Sequence, residues 1–318
     1  MLLSVPLLAA AQAPSDATVA KHVAEATRLA REDLKPLLAL CKPAPAKRPA
    51  QADVDHYIAT QIARPAPEPG QAFDNLYFVG GAWVSAWALT TSEGIILIDA
   101  LDNEAEAAAL IEGGFKKLGL DPAQIKYIVV THAHGDHYGG APYLAGKYKA
   151  RVVMSEADWR QTETQLEFNS PHWGPVPKRD ISVVDGERLR LGDTTVTLNV
   201  TPGHTLGTLT PVFEVRSGGQ AHRALLWGGT AFNFGKDIPR LEMYIAATQR
   251  MAKQAHVLPV DVMISNHSGY DGTPAKLETR RKDPASNPFV IGTEAVERGL
   301  LAMGECAMAQ RDRFLLQP

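Results

Sequence analysis

The sequence predicts an α/β protein in which sheets are layered with helices, preceded by an N-terminal helical extension. Three observations carry this. Strand-like apolar runs give way to helical periodicity in both halves of the chain. Prolines at 43, 45 and 49, and again within A-R-P-A-P-E-P-G at 63–70, separate the first stretch from the rest. Finally, the apolar run Ile125 to Val130 delivers the chain directly into T-H-A-H-G-D-H at 131–137. Loops at the ends of buried strands are where α/β layers build sites.

The elements follow in order. Residues 1–13 of M-L-L-S-V-P-L-L-A-A-A-Q-A-P read as the end of a secretory signal: an apolar run, then small residues suited to cleavage near Ala11 or Ala13. A positive n-region is missing. Over 18–40, Val19, Val23, Ala26, Ala30, Leu34, Leu37 and Leu38 share one helical face. Residues 14–70 are thus an extension packed on the body, too short to build much core alone. The body, 71–318, opens with strands at 76–79 and 83–90, then the run 95–98 ending at Asp99. Asn103 with Glu106 starts a helix that Ala107, Ile111, Phe115 and Leu118 continue. Further strands are expected near 181–184, 188–191, 195–200, 209–215, 223–227 and 260–264, with helices at 239–255 and 293–312.

Of 318 residues, 45% are hydrophobic and 21% charged, with net charge −3, an ordinary globular balance. There is no Lys/Arg-rich run, so no nucleic-acid partner is expected, and no stretch reaches the ~18 apolar residues of a membrane span. A small-molecule substrate is the expected partner; oligomeric state is not encoded legibly. Cys41 and Cys306 could pair in an exported protein, but the sequence reads more simply as two unpaired thiols.

The chemistry concentrates at 131–137. In His132-Ala133-His134, one intervening loop residue lets both rings turn to one point. Asp136 and His137 are adjacent, so their side chains diverge and suit a second point nearby. Gly135 is expected to permit the tight turn. His204, in T-P-G-H-T, and His267, in S-N-H-S-G, each follow an apolar strand and can reach the same sheet edge. Five histidines and one aspartate give three ligands to each of two ions, leaving positions for solvent, as catalytic zinc requires. Nitrogen and carboxylate ligands without thiolate suit Zn²⁺.

These motifs, with L-I-D at 97–99, resemble the metallo-β-lactamase superfamily over roughly 73–282. The resemblance implies a four-layer αβ/βα sandwich with the metals at one edge between two sheets. It implies that His132, His134 and His204 hold one zinc ion and Asp136, His137 and His267 the other. Asp99 would stand behind the ligands and fix the loop. The activity implied is hydrolysis by a metal-held hydroxide, with Asp136 also orienting its proton.

Many relatives of lactonase or glyoxalase type carry a bridging Asp after a later strand, and familiar zinc β-lactamases a Cys. Here the stretch is L-L-W-G-G-T-A-F, with Thr230 at that place. This is similar to the third, cysteine-free β-lactamase subclass, and implies opening of a cyclic amide such as a β-lactam. A serine that often follows two positions on is replaced by Phe232. The alternatives are another ester, lactone or amide, or an iron oxygenase of the same fold, whose expected Asp is absent. Thr230 is expected to bond a substrate carboxylate, Phe232 and Trp173 to form an apolar rim, and Phe168 simply to pack. A periplasmic or secreted location follows if the leader is real.

Overall fold

The computed structural model describes residues 13–317. The expected leader lies outside them apart from Ala13. The first sheet has seven strands side by side in chain order: β1 (Gly70–Phe73), β2 (Leu76–Phe78), β3 (Trp87–Thr91), β4 (Gly94–Ile98), β5 (Ile125–Val129), β6 (Arg151–Ser155) and β7 (Ile181–Val183). β1 to β4 pair antiparallel through short turns, whereas β4 to β7 run parallel. Crossovers between parallel strands need long connections, usually helices. The second sheet, in the order β12-β11-β10-β9-β8, contains β8 (Glu187–Leu191), β9 (Thr194–Val200), β10 (Leu209–Ser217), β11 (Gln220–Trp227) and β12 (Val262–Ser265). Only its β11–β12 pair is parallel, joined by the helix Ile238–Val257.

Strand alternation sorts side chains into layers. On β4, Ile96 and Ile98 join Phe78, Trp87, Phe213 and Leu226 between the sheets. Ile95 and Leu97 face the other way, against Ile111, Phe115 and Leu144. β4 is therefore apolar throughout because both of its faces are covered. Outside the second sheet, Leu225, Trp227 and Met263 are covered by helices Ile238–Val257 and Thr293–Leu316, with the extension laid over them. The result is the four-layer αβ/βα sandwich.

The single helix expected over 18–40 is two elements. Ser15 caps Asp16–Ala30, and Arg31, in the left-handed region at φ 51°, ends it. A 3₁₀ turn, Lys35–Cys41, follows, with Leu37 and Leu40 buried against Val296, Leu300 and Met303. A further helix, Gln51–Ile62, escaped the sequence reading because only Ile58 on it is fully buried. The strand expected from 83 begins at Trp87; residues 80–86 form a bend that carries Trp83 toward the sheet edge.

The two thiols read as unpaired are bonded: Cys41 and Cys306 form a disulfide across 265 residues. Both lie in the core between the 3₁₀ turn and the last helix, a juxtaposition that docking creates and spacing does not reveal. Among the described residues, no helix is long and apolar enough to cross a membrane.

Candidate metal centre

Four strand ends meet at one edge between the sheets. β5 ends in His132 and His134, and the short helix Gly135–Tyr138 carries Asp136 and His137. His204 follows β9, His267 follows β12, and Asp99 follows β4.

Their ligating atoms form two triangles. His132 Nε2, His134 Nδ1 and His204 Nε2 lie 3.0, 3.0 and 3.1 Å apart. His137 Nε2 lies 3.3 Å from both Asp136 Oδ2 and His267 Nε2, and the latter pair are 3.7 Å apart. Atoms this close can all reach one point at the ~2.0–2.1 Å of zinc–nitrogen and zinc–oxygen bonds. All six side chains are buried or nearly so, His267 the least, at 12%.

The donor chemistry fits a cation. Burial, reinforced by the neighbouring imidazoles, holds His132 and His204 well below the ordinary histidine range. Burial and His137 push His267 down to about 4. Burial opposes the charge on His137, but Asp136 and Asp99 outweigh it and lift the ring to about 10. Burial likewise opposes ionisation of Asp136, yet His137 and His267 hold it below the usual carboxylate range. The His132 and His204 nitrogens face one another at 3.0 Å, and with burial disfavouring a charge on either ring they are poor hydrogen-bond partners for each other. A metal requires neutral imidazoles and an ionised carboxylate, so a bound cation would take the place of the proton that Asp136 and Asp99 favour on His137.

Asp99 is 1% exposed and sits in the left-handed region at φ 61°, a conformation uncommon outside glycine and found at constrained sites. Its carboxylate accepts from Thr131 N at 2.7 Å and Thr131 Oγ1 at 2.9 Å, and faces His137 Nδ1 at 2.8 Å. A carboxylate there turns Nε2 of His137 toward the site. Gly135 has a different reason from the one expected. Its φ is not positive; instead, an added Cβ would fall 2.2 Å from the Trp173 ring.

A cavity of about 430 Å³ opens over both triangles. Trp83, Phe168, Trp173 and Tyr270 wall it, with Val54 and Tyr57 from the extension helix. Trp173 thus stands where a rim was expected, fixed by Nε1 donating to Asp102 at 2.9 Å. Phe168, expected only to pack, meets His134 edge-on with ring centroids 5.0 Å apart. Two expected contacts are corrected. Phe232 is buried against Tyr244 and Phe234 rather than facing the cavity. Thr230 is 1% exposed and its Oγ1 pairs with Ser265 Oγ at 3.3 Å, away from the cavity wall. The flanking residues Ala231 and Asn233, in the irregular segment after β11, line the cavity instead.

Sequence reading also missed the groups that fasten the loops. Asp158 accepts from Ala133 N, Gly207 N and Thr205 Oγ1 at 2.9, 2.8 and 2.8 Å, so one carboxylate ties the loop of His132 to that of His204. Burial nevertheless pushes it up to about 6. Glu167, 7% exposed, lies behind His134. No local motif marks either. His222, on β11, is 2.7 Å from Asp261.

Fold and centre define a class, a metal-binding α/β sandwich with its ligands at the sheet edge, and comparisons assign it. The profile of the metallo-beta-lactamase superfamily matches residues 80–218. BJP-1, a subclass B3 metallo-beta-lactamase of Bradyrhizobium japonicum, shares 30% identity and covers 74% of this chain and 90% of its own, with a TM-score of 0.62. FEZ-1 metallo-beta-lactamase from Legionella gormanii shares 25%, covering 74% and 93%, with a TM-score of 0.63. A hydroxyacylglutathione hydrolase of Rhodopseudomonas palustris (strain BisA53) is 29% identical over 180 residues, 56% of this chain. The chain spans 61%, 43% and 50% of the length of three such hydrolases. The chain belongs to the metallo-beta-lactamase superfamily.

Proposed function

We propose that the protein holds two zinc ions and opens a cyclic amide such as a β-lactam. The observation that carries this is the pair of adjacent ligand triangles at the floor of an aromatic-walled cavity. His132, His134 and His204 would hold one ion, and Asp136, His137 and His267 the other. Bound zinc supplies Lewis acidity and brings the pKa of its water to about 7.

The chain's own groups do the rest. Asp99 orients His137, and Asp158 keeps the two ligand loops in register. Asp136 presents a buried carboxylate that can also orient the proton of an attacking water or hydroxide. Trp83, Trp173 and Phe168 exclude bulk water and hold the apolar flank of the substrate. Thr230 leaves the later strand end without a bridging carboxylate or thiolate, and the 30% identity to a subclass B3 enzyme supports the lactam reading. The hydroxyacylglutathione hydrolases favour a second reading, hydrolysis of a thioester. Export is also proposed: the disulfide suits an oxidising compartment.

The test is hydrolysis of a chromogenic cephalosporin, a carbapenem, a lactone and an S-acylglutathione, with and without EDTA, alongside metal analysis. Chelator-sensitive lactam turnover with about two zinc ions per chain, as in two-metal sites, supports the proposal. Turnover of the thioester alone overturns the lactam reading and retains the hydrolase.

A further inference from the structure

His134 has two edges. Nδ1 faces His132 and His204 at 3.0 and 3.1 Å. Nε2 points the other way, is buried, and makes no hydrogen bond. If Nδ1 offers its lone pair to a metal, the ring proton sits on Nε2, and a buried N–H calls for an acceptor. Glu167 Oε2 stands 3.6 Å away, a few tenths of an ångström beyond hydrogen-bond contact.

Glu167 is not free to move elsewhere. Its Oε1 accepts from Arg240 Nη1 and Arg48 Nη2 together. Arg240 is 12% exposed and also donates to the carbonyls of Gly203, at 3.0 Å, and His204. One guanidinium therefore grips the loop that carries His204 and the carboxylate behind His134. Arg48 comes from the N-terminal extension. It donates to the Glu167 carbonyl at 3.0 Å and lies over the Phe168 ring, 5.2 Å from its centroid. The chain Arg48–Glu167–His134 runs from the extension to the floor of the cavity.

We propose that Glu167 is a positioning residue for His134, and that Arg48 makes zinc affinity depend on the docked extension. The proposal rests on His134 being a zinc ligand. A carboxylate behind a metal-bound imidazole fixes its tautomer and raises its basicity, and removal of such partners costs about 10–100-fold in metal affinity. Arg48 and Arg240, both donating to Oε1, hold the carboxylate with Oε2 facing His134.

The experiment is competition for zinc between the full chain and a chromogenic chelator, with the apo-protein's melting temperature measured in parallel. Glu167→Ala is expected to weaken zinc binding about 10–100-fold. Glu167→Gln, which keeps the volume and an acceptor but not the charge, should weaken it less. Arg48→Met, which keeps an unbranched side chain but removes the guanidinium, should move it the same way. Zinc affinity equal to wild type in both Glu167 variants overturns the proposal, even if their apo-proteins melt earlier, since a merely structural role gives that pattern. If Glu167→Ala does not fold, Glu167→Gln decides alone. An unchanged Arg48→Met beside weakened Glu167 variants removes the link to the extension. Wild-type chain that binds no zinc overturns the metal reading itself, a result distinct from normal wild-type binding with unaffected variants.

Discussion

Gly135→Ala would test whether the cavity wall and the ligand loop are one packed unit. The new Cβ would stand 2.2, 2.4 and 2.4 Å from three atoms of the Trp173 ring. Carbon atoms pack at about 3.5–4.0 Å, so the ring must leave. Its departure breaks the 2.9 Å bond to Asp102, a contribution of about 1 kcal/mol. Overpacking adds about 1–3 kcal/mol in a tight core, but Trp173 is only half-buried and can swing outward, so the lower end applies. Against this, alanine in the helical backbone of residue 135 returns about 0.5–1 kcal/mol. The net expectation is a loss of about 1–2 kcal/mol. Urea denaturation measures it, and tryptophan fluorescence reports the displaced ring. Zinc content should hold, while KM rises because one wall of the cavity has moved. Adding Trp173→Ala to Gly135→Ala should produce no further loss, because the residues in contact couple. Full additivity of the two losses, or unchanged fluorescence in Gly135→Ala, would refute the reasoning.

Three further outcomes follow from the same geometry. His132→Ala and Asp136→Asn should each abolish chelator-sensitive turnover while circular dichroism stays native; near-full activity in a metal-loaded variant would remove those residues from the centre. Asp99→Asn keeps the left-handed backbone but loses the charge facing His137, and should cost about 10–100-fold in zinc affinity, read by chelator competition. Replacing both Cys41 and Cys306 with alanine releases a 265-residue loop, for which chain entropy sets a ceiling of about 5–6 kcal/mol and experience suggests about 2–4; equal urea midpoints with and without the disulfide would contradict this.

The sequence alone determined a good deal. Strands β4, β5, β9 and β12 were legible as apolar runs, and each ends where a candidate ligand or its support begins. His132, His134, Asp136 and His137 declared themselves by crowding, because few other pressures put four such donors in six positions. His204 and His267 were legible from strand-end context. These signals are local: periodicity and turn residues record how a segment is buried, not what it meets.

Tertiary structure decided the rest. It alone brings His204 and His267 to 3.0 and 3.3 Å of partners 72 and 130 residues away. It alone joins Cys41 to Cys306, where the sequence left two thiols. It turns Thr230 and Phe232, expected to touch substrate, into the protein and presents Ala231 and Asn233 to the cavity. Asp158, Glu167 and Arg48 acquire meaning only from what surrounds them, since a single charged residue has no periodicity to betray it. Candidate ligands are marked by residue type and spacing, whereas orientation, enclosure and support arise from contacts between segments far apart in the chain.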